Sequence, residues 1–273
     1  MDTWYVTDLD GTLLDPDGRL RPATVDLLRP LIGRGLKLTV ATARTPATAL
    51  KLLAPLRLTG PAVLMSGALL YDLGQKKPLA VRSFSPAARA ALIDFLDEAG
   101  RDAFLYCAGD SLTAWHRPLT GSYAQSFRAG RSGTPYKRFV SVEHYHQIPP
   151  DPALLALFCR PGPDRPLLTE LQAIPDAQCV CYADEYGRGV TAEVFPAGCD
   201  KGSGVEALRR LTGGCRVVAF GDNVNDLPLF AAADECYAVG NALAAVKEAA
   251  DGVIGPNTED GVARWLAARE GGL

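Results

Sequence analysis

A short apolar run, Trp4-Tyr5-Val6, leads directly into Asp8-Leu9-Asp10-Gly11-Thr12. That order narrows the folds open to this chain more than any other feature. In a parallel α/β sheet, ligands gather beyond the carboxyl ends of the strands, and both carboxylates of such a segment fall there. A second D-x-D-G string, Asp15-Pro16-Asp17-Gly18, has proline inside it and no strand before it, so it reads as a turn. An EF-hand reading of the first string fails, because the ligand at the fifth loop position and the late glutamate are missing.

The outer thirds of the chain repeat one grammar. Pro22 to Ile32 reads as a helix stopped by Gly33 and Gly35, Leu36 to Ala41 as a buried strand, and Thr45-Pro46 as a helix start with proline near its first position. Ala62 to Met65 reads as a third strand, followed by Ser66-Gly67 and a hairpin-like Leu69 to Gly74. Further on, Gly204 to Leu211, Asn225 to Ala233, Ala242 to Ala250 and Gly261 to Arg269 are helical, with strands at Val217 to Phe220 and Tyr237 to Val239. Such alternation implies βαβ units: an α/β, Rossmann-like parallel sheet with helices on both faces. Between the outer thirds the texture changes to prolines, aromatics and short strands around helices at Pro86 to Gly100 and Pro166 to Ile174. The expected organisation is a core from 1-82 and 194-273, with an inserted α+β domain over 83-193. At 273 residues, 48% hydrophobic and 22% charged, the chain has the composition of a globular enzyme with room for both.

Two carboxylates at i and i+2, leaving a strand, can enter one pocket, where their repulsion is relieved by magnesium, a cation that prefers hard oxygen ligands. One aspartate can then attack phosphorus while the other, if its pKa is raised, protonates the leaving oxygen and later activates water. Gly221-Asp222-Asn223-Val224-Asn225-Asp226 again follows an apolar strand, with Asp222 placed to complete a carboxylate cluster and Asn225 and Asp226 as orienting groups. Alone, that string reads equally well as a capped helix start. Thr42, at the end of a strand, offers a hydroxyl to a phosphate oxygen, with adjacent amides at the helix start, and Lys201 offers a point charge for the nucleophile and the phosphate.

Taken in order, these segments resemble the haloacid dehalogenase (HAD) superfamily, and more closely its Cof-like subclass IIB phosphatases. The resemblance rests on the DLDGTLL run at Asp8, ATAR with Thr42, FPAGCDKG with Lys201, GDNVND, and the tail Val239-Gly240-Asn241-Ala242, Val246-Lys247 and Asp260-Gly261-Val262. It implies that Asp8 forms an aspartyl-phosphate, that Asp10 is the general acid/base, and that Thr42 and Lys201 hold the phosphoryl group. Asp8, Asp222 and the main-chain carbonyl of Asp10 would surround Mg2+. Ala43, Arg44, Ser66, Gly67 and Asn225 are further candidates for contact with phosphate or substrate. The insert corresponds to a cap that closes over the substrate and excludes water. Two positions depart from the family pattern: Ala43 stands where glycine is usual, and Ser66 where asparagine is usual.

The implied activity is hydrolysis of a small phosphomonoester such as a sugar phosphate. Transfer to a sugar hydroxyl, as in phosphomutases, and a catalytically silent ligand sensor are the alternatives, and Asp10 argues against the sensor. A net charge of -3 gives no general attraction to nucleic acid or anionic lipid. No secretory signal or membrane span is expected, which points to a cytoplasmic monomer or weak homodimer.

The seven cysteines show no paired CxxC spacing and read as reduced thiols, although Cys179 and Cys181 share one face of a strand, where a metal or redox role is the minor reading. Glu143, His144 and His146 read as a solvated surface stretch rather than a zinc site. Arg160, Glu185, Tyr186 and Arg188 are candidate substrate contacts in the insert.

Overall fold

The computed structural model describes residues 2–109, 111–160, 164–183 and 189–271. The chain opens with β1 (Thr3–Thr7), α1 (Pro22–Gly33), β2 (Lys37–Val40), α2 (Pro46–Leu53), β3 (Pro61–Leu64), β4 (Leu69–Asp72) and β5 (Lys77–Val81). There follow α3 (Pro86–Ala99), β6 (Ala103–Ala108), β7 (Leu112–His116), α4 (Ser122–Ala129), β8 (Lys137–Ser141), β9 (Leu154–Cys159), α5 (Arg165–Gln172), β10 (Ala177–Ala183) and β11 (Val190–Pro196). The last stretch holds α6 (Lys201–Leu211), β12 (Arg216–Gly221), α7 (Leu227–Ala231), β13 (Glu235–Ala238), α8 (Ala244–Ala249), β14 (Gly252–Val253) and α9 (Gly261–Glu270).

These elements form two compact units, Met1–Ala80 with Asp200–Leu273, and Val81–Cys199. The first is built on a parallel five-stranded sheet in the order β14-β13-β12-β1-β2. Its central strands β1, β2 and β12 are buried on both faces, which is why they read as continuous apolar runs rather than alternating ones. On one face Trp265 of α9 packs edge-on to Tyr5 and Phe220 and tilted against Tyr237, and α9 also meets α1. Gly221 points the opposite way from Phe220, and a methyl group built on it would meet the Asp226 side chain just before α7. Helices therefore cover both faces.

Ala62 to Met65, expected as one more strand of the alternation, behaves differently. It contributes β3 to a separate three-stranded sheet, β3-β4-β5, in which β3 and β4 are antiparallel. An isolated parallel bridge, Ala41 to Val63, joins it to the end of β2. The reversal comes from Met65, Ser66 and Gly67, whose φ angles are all positive (52°, 51° and 89°). A left-handed conformation costs a non-glycine residue about 1–2 kcal/mol, so the surroundings must impose it. At Gly67 a side chain would run into the Asp200 carbonyl, and at Gly204 into Val63. The segments before and after the second unit are thus pressed together within the first.

The second unit is α+β. Its six-stranded sheet runs β10-β11-β9-β6-β7-β8 and is antiparallel except between β7 and β8. Ser85 caps α3 by accepting the Ala88 N–H at 3.1 Å, and Pro86 occupies the first turn, where its missing N–H costs nothing. Leu92 and Leu96 of α3 and Leu171 of α5 pack with Leu105, Leu155, Leu157 and Val194 of the sheet. On the other face Phe104 meets Phe127, Phe139 and Phe158. Among the described residues no helix is long and apolar enough to cross a membrane.

Candidate active site

The carboxyl ends of β1 and β12 lie side by side, since the Asp8 N–H donates to the Phe220 carbonyl at 3.0 Å. The chain then turns through Asp10 and Gly11 (φ 78°) and closes with the Leu14 N–H on the Leu9 carbonyl at 2.8 Å. Glycine is required at position 11 twice over, by its φ angle and because any side chain there would overlap the Asp222 carboxylate. Thr12 fixes that carboxylate, donating its hydroxyl to Asp222 Oδ1 at 2.8 Å.

Lys201 opens α6 and is only 2% exposed. Its Nζ lies 2.8 Å from Asp8 Oδ1 and 2.6 Å from Asp226 Oδ1. The other oxygen of the Asp226 carboxylate accepts the N–H groups of Asp222 and Asn223 at 2.9 and 3.0 Å. Asp226, fully buried, therefore ties the cation to the loop that carries Asp222. Asp8, Asp222 and Asp226 each bring a carboxylate oxygen within 4.8 Å of the other two.

Three carboxylates against one ammonium leave this pocket short of positive charge. Burial pushes the Asp8 carboxyl up to about 7, although Lys201 opposes the shift, and burial also raises Asp222. For Lys201 burial works against the charge, but Asp8 and Asp226 outweigh it and hold the ammonium above the ordinary lysine range. An all-oxygen set of this kind fits a hard divalent cation, which would supply the missing charge.

Thr42 lies just past β2, which the Ala41 N–H ties to the Thr7 carbonyl at 2.9 Å. It is buried, its N–H donates to Val63 and its hydroxyl accepts the Arg44 N–H at 3.2 Å. Ala43 is exposed. The Arg44 side chain crosses to Asp10, with Nε 2.7 Å from Oδ2 and Nη2 2.5 Å from Oδ1. Asp10 is exposed and stands outside the carboxylate cluster. Ser66 donates its N–H to the Thr42 carbonyl at 3.1 Å, and Gly67 abuts Asp200. Asn225 is exposed on the loop beside Asp226.

Several supporting residues are absent from the sequence-level candidates. Thr12 is one. Asn241 donates to the Gly11 carbonyl at 2.7 Å, and Asn257 donates to the Leu14 carbonyl at 2.8 Å, so the C-terminal stretch holds the nucleophile loop from outside. Asn241 stood in the quoted tail, but nothing in its spacing revealed which backbone it serves. In the second unit Arg160 is exposed, its N–H donates to Asp164 at 2.7 Å, and its guanidinium lies 3.5 Å from the same carboxylate. Glu185, Tyr186 and Arg188 lie outside the described residues. His144 and His146 stack at 5.2 Å on the surface.

A family model described as haloacid dehalogenase-like hydrolase matches residues 5–266. The pyridoxal phosphate phosphatase YbhA of Escherichia coli (strain K12) is 28% identical over 263 residues, covering 95% of each chain. An HMP-PP phosphatase of Serratia proteamaculans (strain 568) is 28% identical over 274 residues, covering 95% of this chain and 92% of its own. Among solved structures, a haloacid dehalogenase-like hydrolase from Bacteroides thetaiotaomicron superposes with a TM-score of 0.81 at 22% identity, over 98% of this chain and 100% of that one. A HAD subclass IIB sugar phosphatase gives 0.73 at 21% identity, over 98% and 99%.

Proposed function

The chain belongs to the haloacid dehalogenase-like hydrolases and is a phosphatase of that family; from that premise we propose that it hydrolyses a small phosphomonoester by way of an aspartyl-phosphate on Asp8, with Mg2+ as cofactor. The observation that carries this reading is the pairing of Asp8 Oδ1 with Lys201 at 2.8 Å inside a cluster of carboxylates. One oxygen of the nucleophile is held by the ammonium, which leaves the other to meet phosphorus.

Asp8, Asp222 and Asp226 are the side chains that would hold the cation, with the Asp10 main-chain carbonyl beside them as the family resemblance implies. Bound there, Mg2+ supplies charge that keeps the carboxylates ionised and offsets the phosphoryl oxygens. Lys201 keeps the nucleophile charged and oriented, and Asp226 keeps Lys201 in place. Thr42 offers its hydroxyl, and Arg44 its guanidinium, to phosphoryl oxygens. Asp10 gives a proton to the leaving oxygen and takes one from the water that then attacks the aspartyl-phosphate, which returns Asp8 and releases inorganic phosphate. The Val81–Cys199 unit, inserted between Thr42 and Lys201 in the chain, is assigned the choice of substrate.

One relative is named a pyridoxal phosphate phosphatase, another an HMP-PP phosphatase and one structural neighbour a sugar phosphatase, so pyridoxal phosphate, HMP-PP and sugar phosphates head the panel to screen. Phosphate release with Mg2+ is measured on wild type and on Asp8→Asn. Wild type should turn over at least one compound, and the variant should lose several orders of magnitude in kcat. Equal rates in the two proteins would overturn the mechanism.

A further inference from the structure

Cys179 and Cys181 lie on β10, the outer strand of the six-stranded sheet, where they pair with Val194 and Ala192 of β11. Residues at i and i+2 of a strand share a face. Their sulfurs are 3.7 Å apart. Cys181 is exposed and Cys179 half-buried, whereas the other five thiols of the chain are buried. We propose that Cys179 and Cys181 form a chelating site for one thiophilic d10 cation of the Zn2+ or Cd2+ class, held by both sulfurs on the surface of the second unit.

The spacing carries the assignment. Two sulfurs at about 2.3 Å from a tetrahedral zinc stand about 3.8 Å apart, so the pair already spans one edge of the coordination polyhedron. A disulfide would require the sulfurs to close to about 2.05 Å. The ladder to β11 opposes that closure, because it holds the two Cα atoms at the extended spacing of about 6.6 Å, near the upper limit that a disulfide bridges. The cation enters from the side of Cys181, and water completes its coordination. Sulfur binds such a cation as thiolate, so binding competes with protons.

Titration of the reduced full chain with Cd2+, followed by the ultraviolet thiolate-to-metal charge-transfer band, tests the site without interference from carboxylate-bound cation. The band should saturate at one cation per chain and be lost in Cys179→Ser and in Cys181→Ser. On wild type alone, Zn2+ should protect Cys181 from alkylation by iodoacetamide, and a chelator should restore the reaction. Absence of the band at several equivalents of Cd2+, its survival in the double serine variant, or alkylation of Cys181 unaffected by Zn2+ would each overturn the proposal.

Discussion

Arg44 grips Asp10 through two parallel hydrogen bonds, Nε to Oδ2 at 2.7 Å and Nη2 to Oδ1 at 2.5 Å. In the proposed mechanism, the guanidinium that would meet an incoming phosphate is the one that now holds the proposed acid/base. On that mechanism, substrate arrival would compete with Asp10 for Arg44. Arg44→Ala should lower kcat/KM by about 10- to 100-fold with little change in melting temperature. Arg44→Lys should not restore it, because an ammonium cannot reproduce the planar fork. Steady-state kinetics on the three proteins checks this, and an unchanged kcat/KM in the alanine variant would count against it.

Lys201 is buried with Asp8 and Asp226 on either side. Removal of one partner of a buried ion pair typically costs about 3–5 kcal/mol. Lys201→Met should abolish turnover and lower the melting temperature, and addition of Asp226→Asn should recover part of the stability but none of the activity. Thermal unfolding of the single and double variants reads both effects.

Withdrawal of divalent cation with EDTA should stop phosphate release, and added Mg2+ should restore it. A cation that binds the folded carboxylate cluster and not the unfolded chain should also raise the melting temperature, by an amount that grows with the logarithm of Mg2+ concentration above its Kd. Asp222→Asn should weaken that rise. A melting temperature independent of Mg2+ in wild type would contradict the assigned ligands.

Asp164, buried in the second unit, is held down at about 2 by paired hydrogen bonds from Arg101, with the Arg160 N–H adding to them. A carboxyl whose pKa falls on folding stabilises the protein above its unfolded value and loses that contribution as pH drops through the folded value. The contribution is therefore full above about pH 4 and gone near pH 2, and is worth on the order of 2 kcal/mol. Asp164→Asn should be less stable than wild type at pH 6, and the gap should narrow as the pH falls towards 2, as measured by denaturant unfolding.

Much of the core was legible because its central strands are buried on both faces and end at motif residues. Trp4 to Thr7 and Val217 to Phe220 could hardly be read otherwise once Asp8 and Asp222 followed them. Three things escaped the sequence. The chain reversal at Met65-Ser66-Gly67 depends on neighbours that impose left-handed geometry on two residues with side chains, and no local propensity announces it. The bond from Arg44 to Asp10 spans 34 residues, and the hold of Asn241 on the Gly11 carbonyl spans 230, so neither has a periodic signature. The order of strands in the second unit, with β9 and β11 between β6 and β10, is a matter of long-range pairing that alternation alone leaves undetermined.

The contacts of Gly67 with the Asp200 carbonyl and of Gly204 with Val63 leave no space for a side chain at either glycine. The two stretches of polypeptide that flank residues 81–199 are consequently held against each other by close packing at these glycines, independently of what those residues encode. A clamp of that kind ties the entry and exit of the inserted stretch to each other at a fixed separation, whatever its length.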